Sequence, residues 1–281
     1  MQTAVSLFRA ARPNFLFLTL VVVALGISVA SYEGHDFSYD RAMLIAVGAV
    51  IAHMAVNFLN EYQDFDTGLD AITHKTPFSG GSGALVDNPA AAKRVLELFF
   101  LCLISLVVIG VYLIMQTGWP LLMFGLIGLG LIISYTKVIT KLPWLCLIAP
   151  GIAFGPLMVI GSYFALTAEL SLLVILISCV PFFLVNNLLL LNQIPDLEAD
   201  KKVGRYNILM HLGTDNGLQV FAAFIWLAYL TLVFTIWIFD LPSWLYVGLL
   251  PLLIVFPMLR QLQESYQTVS YTHLRAHETA T

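Results

Sequence analysis

Residues 41–70 read RAMLIAVGAVIAHMAVNFLNEYQDFDTGLD, and this stretch decides the fold. Its first two thirds form an apolar run long enough to cross a hydrocarbon core of about 30 Å at 1.5 Å per residue. Its last third carries Asn60, Glu61, Asp64, Asp66 and Asp70. On one helix Asn57, Asn60 and Asp64 stand at i, i+3 and i+7, so a membrane span ends in a polar stripe along one face. Taken alone, the stripe is equally readable as solvated helix-end residues or caps for the next helix.

Runs of the same kind recur outward from it, and spans are predicted near 14–31, 41–62, 93–115, 119–136, 143–166, 170–193, 216–238 and 242–259. The composition agrees: 59% of the 281 residues are apolar and only 11% are charged, against about 25% charged in a soluble domain. Eight spans of about 20 residues leave about 120 positions for loops and ends. A single all-α polytopic membrane domain is therefore expected over residues 1–267, with its chemistry in or beside the bilayer. The first apolar run is too long for a signal-peptide core and is read as retained. A net charge of −4 supplies no basic face for nucleic acid, and no protein partner is indicated. Cys102, Cys146 and Cys179 lie within apolar runs without metal-ligand spacing, as inert buried thiols do.

With the N-terminus in the cytosol, Arg9, Arg12, Lys75, Lys93, Arg94, Lys137, Lys141, Lys201, Lys202, Arg205 and Arg260 all fall on the cytosolic face, and Arg41 alone falls opposite. That asymmetry orients the chain in a cell (inner, cytoplasmic) membrane. It also places the two long connections, after the second and sixth spans, in the cytosol. Their mixture of Gly, Pro, paired Asp and apolar residues points to function rather than disorder.

The second connection, 186–205, reads NNLLLLNQIPDLEADKKVGR. Asn192 and Asp196 repeat the Asn-x-x-x-Asp of Asn60 and Asp64, and Asp64 and Asp196 are 132 positions apart. The chain reads as two related halves of four spans. Convergence of the loops would crowd Asp64, Asp66, Asp70, Asp196, Glu198 and Asp200 together. Two carboxylates about 5 Å apart repel by about 3 kcal/mol at an effective dielectric of 20, so such crowding calls for cations. Oxygen donors of Asp and Asn type favour Mg²⁺, which completes its shell with water and phosphate. A diphosphate held between two aspartate clusters is the expected ligand. Lys75, Lys137, Lys141, Lys201, Lys202 and Arg205 lie near the same face. Any one lysine reads more simply as a topology determinant, whereas the Arg205 fork suits bidentate phosphate binding.

These residues resemble the UbiA-type intramembrane aromatic prenyltransferases, closest to the branch that prenylates 1,4-dihydroxy-2-naphthoate on the way to menaquinone. Asn60-Glu-Tyr-Gln-Asp64-Phe-Asp-Thr-Gly68-Leu-Asp70 is similar to that branch's first aspartate motif, and Asn192-Gln-Ile-Pro-Asp196-Leu-Glu-Ala-Asp200-Lys-Lys-Val-Gly204-Arg205 to the second. Thr76 to Gly83 and Gly155 to Tyr163 add to the likeness, which covers roughly residues 8–260.

The resemblance implies helices around a central cavity that opens sideways to lipid, with a polyprenyl diphosphate headed by Mg²⁺ and an aromatic acceptor as substrates. It implies that Asp64, Asp70, Asp196 and Asp200 hold the metals and act in catalysis, with Asp66 and Glu198 second in rank. Asn60 and Asn192 would assist, and Lys75, Lys137, Lys141, Lys201 and Arg205 would face the diphosphate. Glu61 stands where the family usually has Asp, and Tyr135 is followed by Lys137 and Lys141 rather than by a lysine four residues on. The family usually has nine spans against the eight counted. Residues 268–281 lack apolar periodicity and are similar to translated adapter sequence, so His273 and His277 are not read as a metal pair.

The implied reaction is Mg²⁺-assisted ionisation of an allylic diphosphate, followed by attack of an electron-rich ring on the allyl cation. Acceptors such as 4-hydroxybenzoate, homogentisate, chlorophyllide or haem stay open within the family. A divalent-cation transporter is the rival outside it, although acidic groups clustered at one end of the spans suit it poorly.

Overall fold

The computed structural model describes residues 2–73, 81–255 and 257, and among them the regular elements are all helices. Six helical stretches, 2–32, 39–66, 89–117, 143–167, 172–202 and 214–238, are long and apolar enough to cross a bilayer. Two shorter apolar helices, 121–134 and 243–255, fall on the two remaining predicted spans. Lys75 and the tail 268–281 lie outside the described residues.

The first stretch is two helices, α1 (Gln2–Ala10) and α2 (Pro13–Tyr32). Pro13 opens α2, and a residue preceding proline is held out of the right-handed helical region. Arg12 accordingly takes the left-handed conformation at φ 51°, and the chain turns there. Helix α3 (Tyr39–Asp66) is the span that the opening motif predicts, with the short α4 (Leu69–Ile72) beyond it. After α5 (Ala84–Asp87) come α6 (Ala92–Thr117) and α7 (Leu121–Ser134).

The fifth span departs from regular helix. Helix α8 (Pro143–Ile152) passes into a π-helical segment, Ala153–Ile160, before α9 (Gly161–Thr167). Pro150 and Pro156 each remove a backbone donor, which loosens the i to i−4 ladder. The segment packs closely on α10 (Leu172–Lys202). A Cβ at Gly151 would lie 2.4 Å from the Phe182 carbonyl oxygen, and one at Gly155 2.5 Å from that of Ser178. Such small residues let membrane helices approach backbone to backbone, where van der Waals packing replaces the missing hydrophobic drive. Beyond α10 lie α11 (Ile208–Leu212), α12 (Thr214–Ile238) and a 3₁₀ stretch, Ser243–Leu249.

The most extensive helix pairings are α3 with α6 and α10 with α12. These are the second with the third span and the sixth with the seventh, matching positions in the two halves that the sequence suggests. Between the halves lies a cavity of about 1000 Å³, walled by α2, α3, α6, α7, α8, the π-helical segment and α10. Val107 and Val111 of α6 and Leu126 of α7 line it and are more than half exposed.

Candidate functional site

The two acidic stretches meet at one end of this cavity. Asn60, Asp64 and Asp70 line it from one side, and Asn192, Asp196, Asp200 and Arg205 from the other. Each stretch is turned inward by a glycine that a side chain would strain. Gly68, at φ 74°, reverses the chain after α3 and brings Asp70 back against the cavity. Gly204, at φ 77°, ends α10 with Arg205 N donating to the Asp200 carbonyl and Gly204 N to that of Lys201. That pairing is a Schellman cap, and it folds Arg205 under the end of its own helix.

Arg205 then joins the halves. One terminal nitrogen donates to Asp64 Oδ1 on α3, and the other donates to Asp200 Oδ1 on α10 at 3.2 Å. Asn207 Nδ2 donates to the second Asp200 oxygen at 3.5 Å. Asn60 Nδ2 donates to Asp64 Oδ2 at 3.0 Å and to Thr136 Oγ1 at 3.2 Å. A second arginine approaches from the α1–α2 turn: Arg12 donates to Asn60 Oδ1 at 3.0 Å and to Glu61 Oε2 at 3.4 Å. Glu61 is fully buried and also accepts from the Ser82 hydroxyl at 2.6 Å and from Ala84 N at 3.0 Å. Its Asp-to-Glu departure from the usual motif thus gives a carboxylate that reaches and ties down the first loop.

The carboxylates outnumber the arginines here, so the charge balance calls for a cation. Removal from water, together with the neighbouring Glu61 and Asp64 charges, pushes the Asp70 carboxyl up to about 7. Asp70 Oδ2 is buried without a hydrogen-bond partner among the described residues. Such an oxygen wants a cation or a proton. The donor set is carboxylate and amide oxygen, which suits Mg²⁺. Among the described residues no three of His, Cys, Asp and Glu are grouped to hold a metal alone. A Mg²⁺ ion here would draw its remaining ligands from water and phosphate, as it ordinarily does.

Other sequence-stretch candidates sit elsewhere. Asp66, Glu198, Lys137, Lys141, Lys201 and Lys202 are exposed and are not among the residues lining the cavity. Charges on helix ends can point to solvent as readily as inward, and only their helical phase decides. The expected crowd of six carboxylates is in the cavity a set of four. Arg12, Tyr135 and Thr136 are the additions. For Arg12 the Arg-Pro dipeptide is a readable signal of a break, but its reach to Asn60 depends on the left-handed turn.

The model of the UbiA prenyltransferase family matches residues 19–271 of this chain. Among curated proteins it is 31% identical to 1,4-dihydroxy-2-naphthoate octaprenyltransferase of Bacillus subtilis (strain 168), over 86% of this chain and 76% of that one. It is 25% identical to the protein of the same name from Escherichia coli (strain K12), over 86% and 80%. UbiA prenyltransferase domain-containing protein 1 of Dictyostelium discoideum is also 25% identical, over 83% and 73%. Among solved structures, a UbiA homolog from Archaeoglobus fulgidus bound to GPP and Mg²⁺ superposes with a TM-score of 0.64 at 16% identity, over 92% of this chain and 86% of that one.

The family match and the named naphthoate prenyltransferase relatives make this helical membrane protein an aromatic prenyltransferase. The chain belongs to the UbiA prenyltransferase family.

Proposed function

We propose that this protein transfers a polyprenyl group from its allylic diphosphate to a ring carbon of 1,4-dihydroxy-2-naphthoate, in a Mg²⁺-dependent reaction of menaquinone synthesis. The observation that carries the reading is the convergence of Asp64, Asp70, Asp196 and Asp200 with Arg12 and Arg205 at the mouth of one apolar cavity. The Bacillus subtilis relative supports the acceptor, and the Archaeoglobus fulgidus structure supports Mg²⁺. The membrane is proposed to be the cytoplasmic one, with the N-terminus and both motifs in the cytosol, because the positive charges gather at that end.

The division of labour follows from the geometry. Bound Mg²⁺ would be held by the four aspartates with Asn60 and Asn192, and would supply Lewis-acid neutralisation of the diphosphate. Arg205 and Arg12 add fixed positive charge where the leaving diphosphate gathers negative charge as the allylic C–O bond breaks. The apolar walls keep water from the allyl cation. The ring carbon supplies the electron pair of the new C–C bond, and the pair that restores aromaticity comes from its other bond, whose group leaves as CO2 if it is the carboxylate or as a proton to water if it is hydrogen.

The test is incubation of the detergent-purified protein with Mg²⁺, radiolabelled polyprenyl diphosphate and separate aromatic acceptors. Label should move to dihydroxynaphthoate, and Asp64→Ala or Asp196→Ala should abolish the transfer while the protein stays folded. Transfer only to another ring would replace the acceptor. Full activity in both variants would contradict the mechanism.

A further inference from the structure

Helix α3 carries one more polar residue into the cavity. His53 stands at i−4, i−7 and i−11 from Asn57, Asn60 and Asp64, so it continues their stripe away from the mouth. The axial offsets are about 10 Å from Asn60 and about 16 Å from Asp64, at 1.5 Å per residue. It lines the cavity and is 8% exposed. Its ring meets Phe154 of the π-helical segment edge-on, with centroids 5.1 Å apart, and π-helical turns often occur where a span serves a site.

The ring is aimed by a single hydrogen bond, between Nδ1 and Thr19 Oγ1 at 2.7 Å. Thr19 is wholly buried on α2, and among the described residues His53 is its hydroxyl's sole hydrogen-bond partner. An O–H donating to Nδ1 satisfies both groups, whereas the reverse arrangement would bury a hydroxyl hydrogen unpaired at a cost of about 1–3 kcal/mol. The imidazole proton therefore sits on Nε2. That nitrogen has no partner among the described residues, on a residue that lines the cavity. A polyprenyl chain is hydrocarbon and offers nothing for an N–H to bind.

We propose that His53 Nε2–H donates a hydrogen bond to an oxygen of the aromatic acceptor, so that His53, held by Thr19, fixes the ring at the depth where its carbon meets the allyl cation. The site this defines is the acceptor subsite, bounded by His53 and Phe154 below the Asn60 level, with Thr19 buried behind the imidazole. The inference rests on the aromatic-acceptor reading above, and it adds the residue that recognises that acceptor's oxygen.

The experiment measures steady-state kinetics for both substrates, with Mg²⁺-dependent binding of polyprenyl diphosphate alone as the second readout. A lost charge-assisted or buried hydrogen bond corresponds to about tenfold to hundredfold. His53→Phe should lower kcat/KM for dihydroxynaphthoate by that factor, while the Kd of the polyprenyl diphosphate stays within about twofold. His53→Gln, whose amide N–H can stand near the position of Nε2, should recover most of the loss. Thr19→Val should raise the acceptor KM severalfold by freeing the tautomer. Unchanged acceptor kinetics in His53→Phe would overturn the inference, as would equal weakening of diphosphate binding or a Gln variant no better than Phe. Should His53→Phe not fold, the Gln and Thr19→Val variants decide by the same split. Wild-type protein that transfers to a different ring would instead overturn the choice of acceptor, and the His53 comparison is then read on that ring.

Discussion

The two acidic stretches occupy matching places in the two halves but are tied down by different groups. The clearest contrast lies one residue after each motif asparagine. Glu61 follows Asn60, is fully buried, and meets Arg12, Ser82 and Ala84 at once. Gln193 follows Asn192 and is also buried, but its amide donates only to Cys146 Sγ at 3.3 Å, and its Oε1 has no partner among the described residues. A charge with several partners anchors a loop, whereas a half-satisfied neutral amide lets its helix end adjust. The first half thus reads as the fixed wall of the diphosphate site and the second as the side that carries the bridging arginine across.

Arg205 gives the largest expected break in this comparison. Arg205→Ala removes the link between the halves and leaves Asp64 and Asp200 as unscreened neighbours, so transfer should fall by about 100-fold or more, by analogy with lost charge-stabilising groups. Arg205→Lys should recover little, since a lysine cannot fork between two carboxylates. Rates of labelled prenyl transfer check both.

Next comes the anchor itself. Glu61→Ala strands Arg12 beside a buried site and should cost about 3–5 kcal/mol of stability, while Gln193→Ala, with one weak hydrogen bond to lose, should cost about 1 kcal/mol. Thermal unfolding in the same detergent compares them, and equal losses would erase the proposed difference between fixed and adjustable sides. The smallest effect is expected at Lys137 and Lys141, which are exposed away from the cavity. Their alanine variants should bind polyprenyl diphosphate within about twofold of the parent protein, as surface charges screened by solvent do.

Much of this was legible in the sequence for a simple reason. An apolar run long enough to cross a bilayer favours a helix, so six of the eight runs are helices long enough to span and the other two hold the shorter helices 121–134 and 243–255. The motif asparagines and aspartates were legible because polar groups at the end of such a run stand out. What the sequence could not resolve is phase and register. The asparagines set Asp64 against Asp196, but each of Asp64 and Asp200 lies four residues before its turning glycine, Gly68 and Gly204, and it is this pair that Arg205 bridges. A shift of four residues is one helical turn, and only packing distinguishes the two alignments.

Asp66, Lys137, Lys141 and Lys201 lie off the cavity lining for a related reason, since helix-end charges carry no sign of which way they point. Arg12 was legible as a charge near a proline and no further, because its role depends on a left-handed backbone. The fifth span was read as an ordinary helix, whereas the structure has Pro150 and Pro156 within it and a π-helical segment packed against α2 and α10.

The central claim is that both stretches build one diphosphate site. Its most direct test is a double-substitution cycle on Asp64→Asn and Asp200→Asn, read as Mg²⁺-dependent binding of polyprenyl diphosphate by calorimetry. One site per chain is expected, with each single substitution weakening it strongly and the double substitution costing well short of the sum, as coupled neighbours do. Two independent sites, or strictly additive losses, would contradict the account.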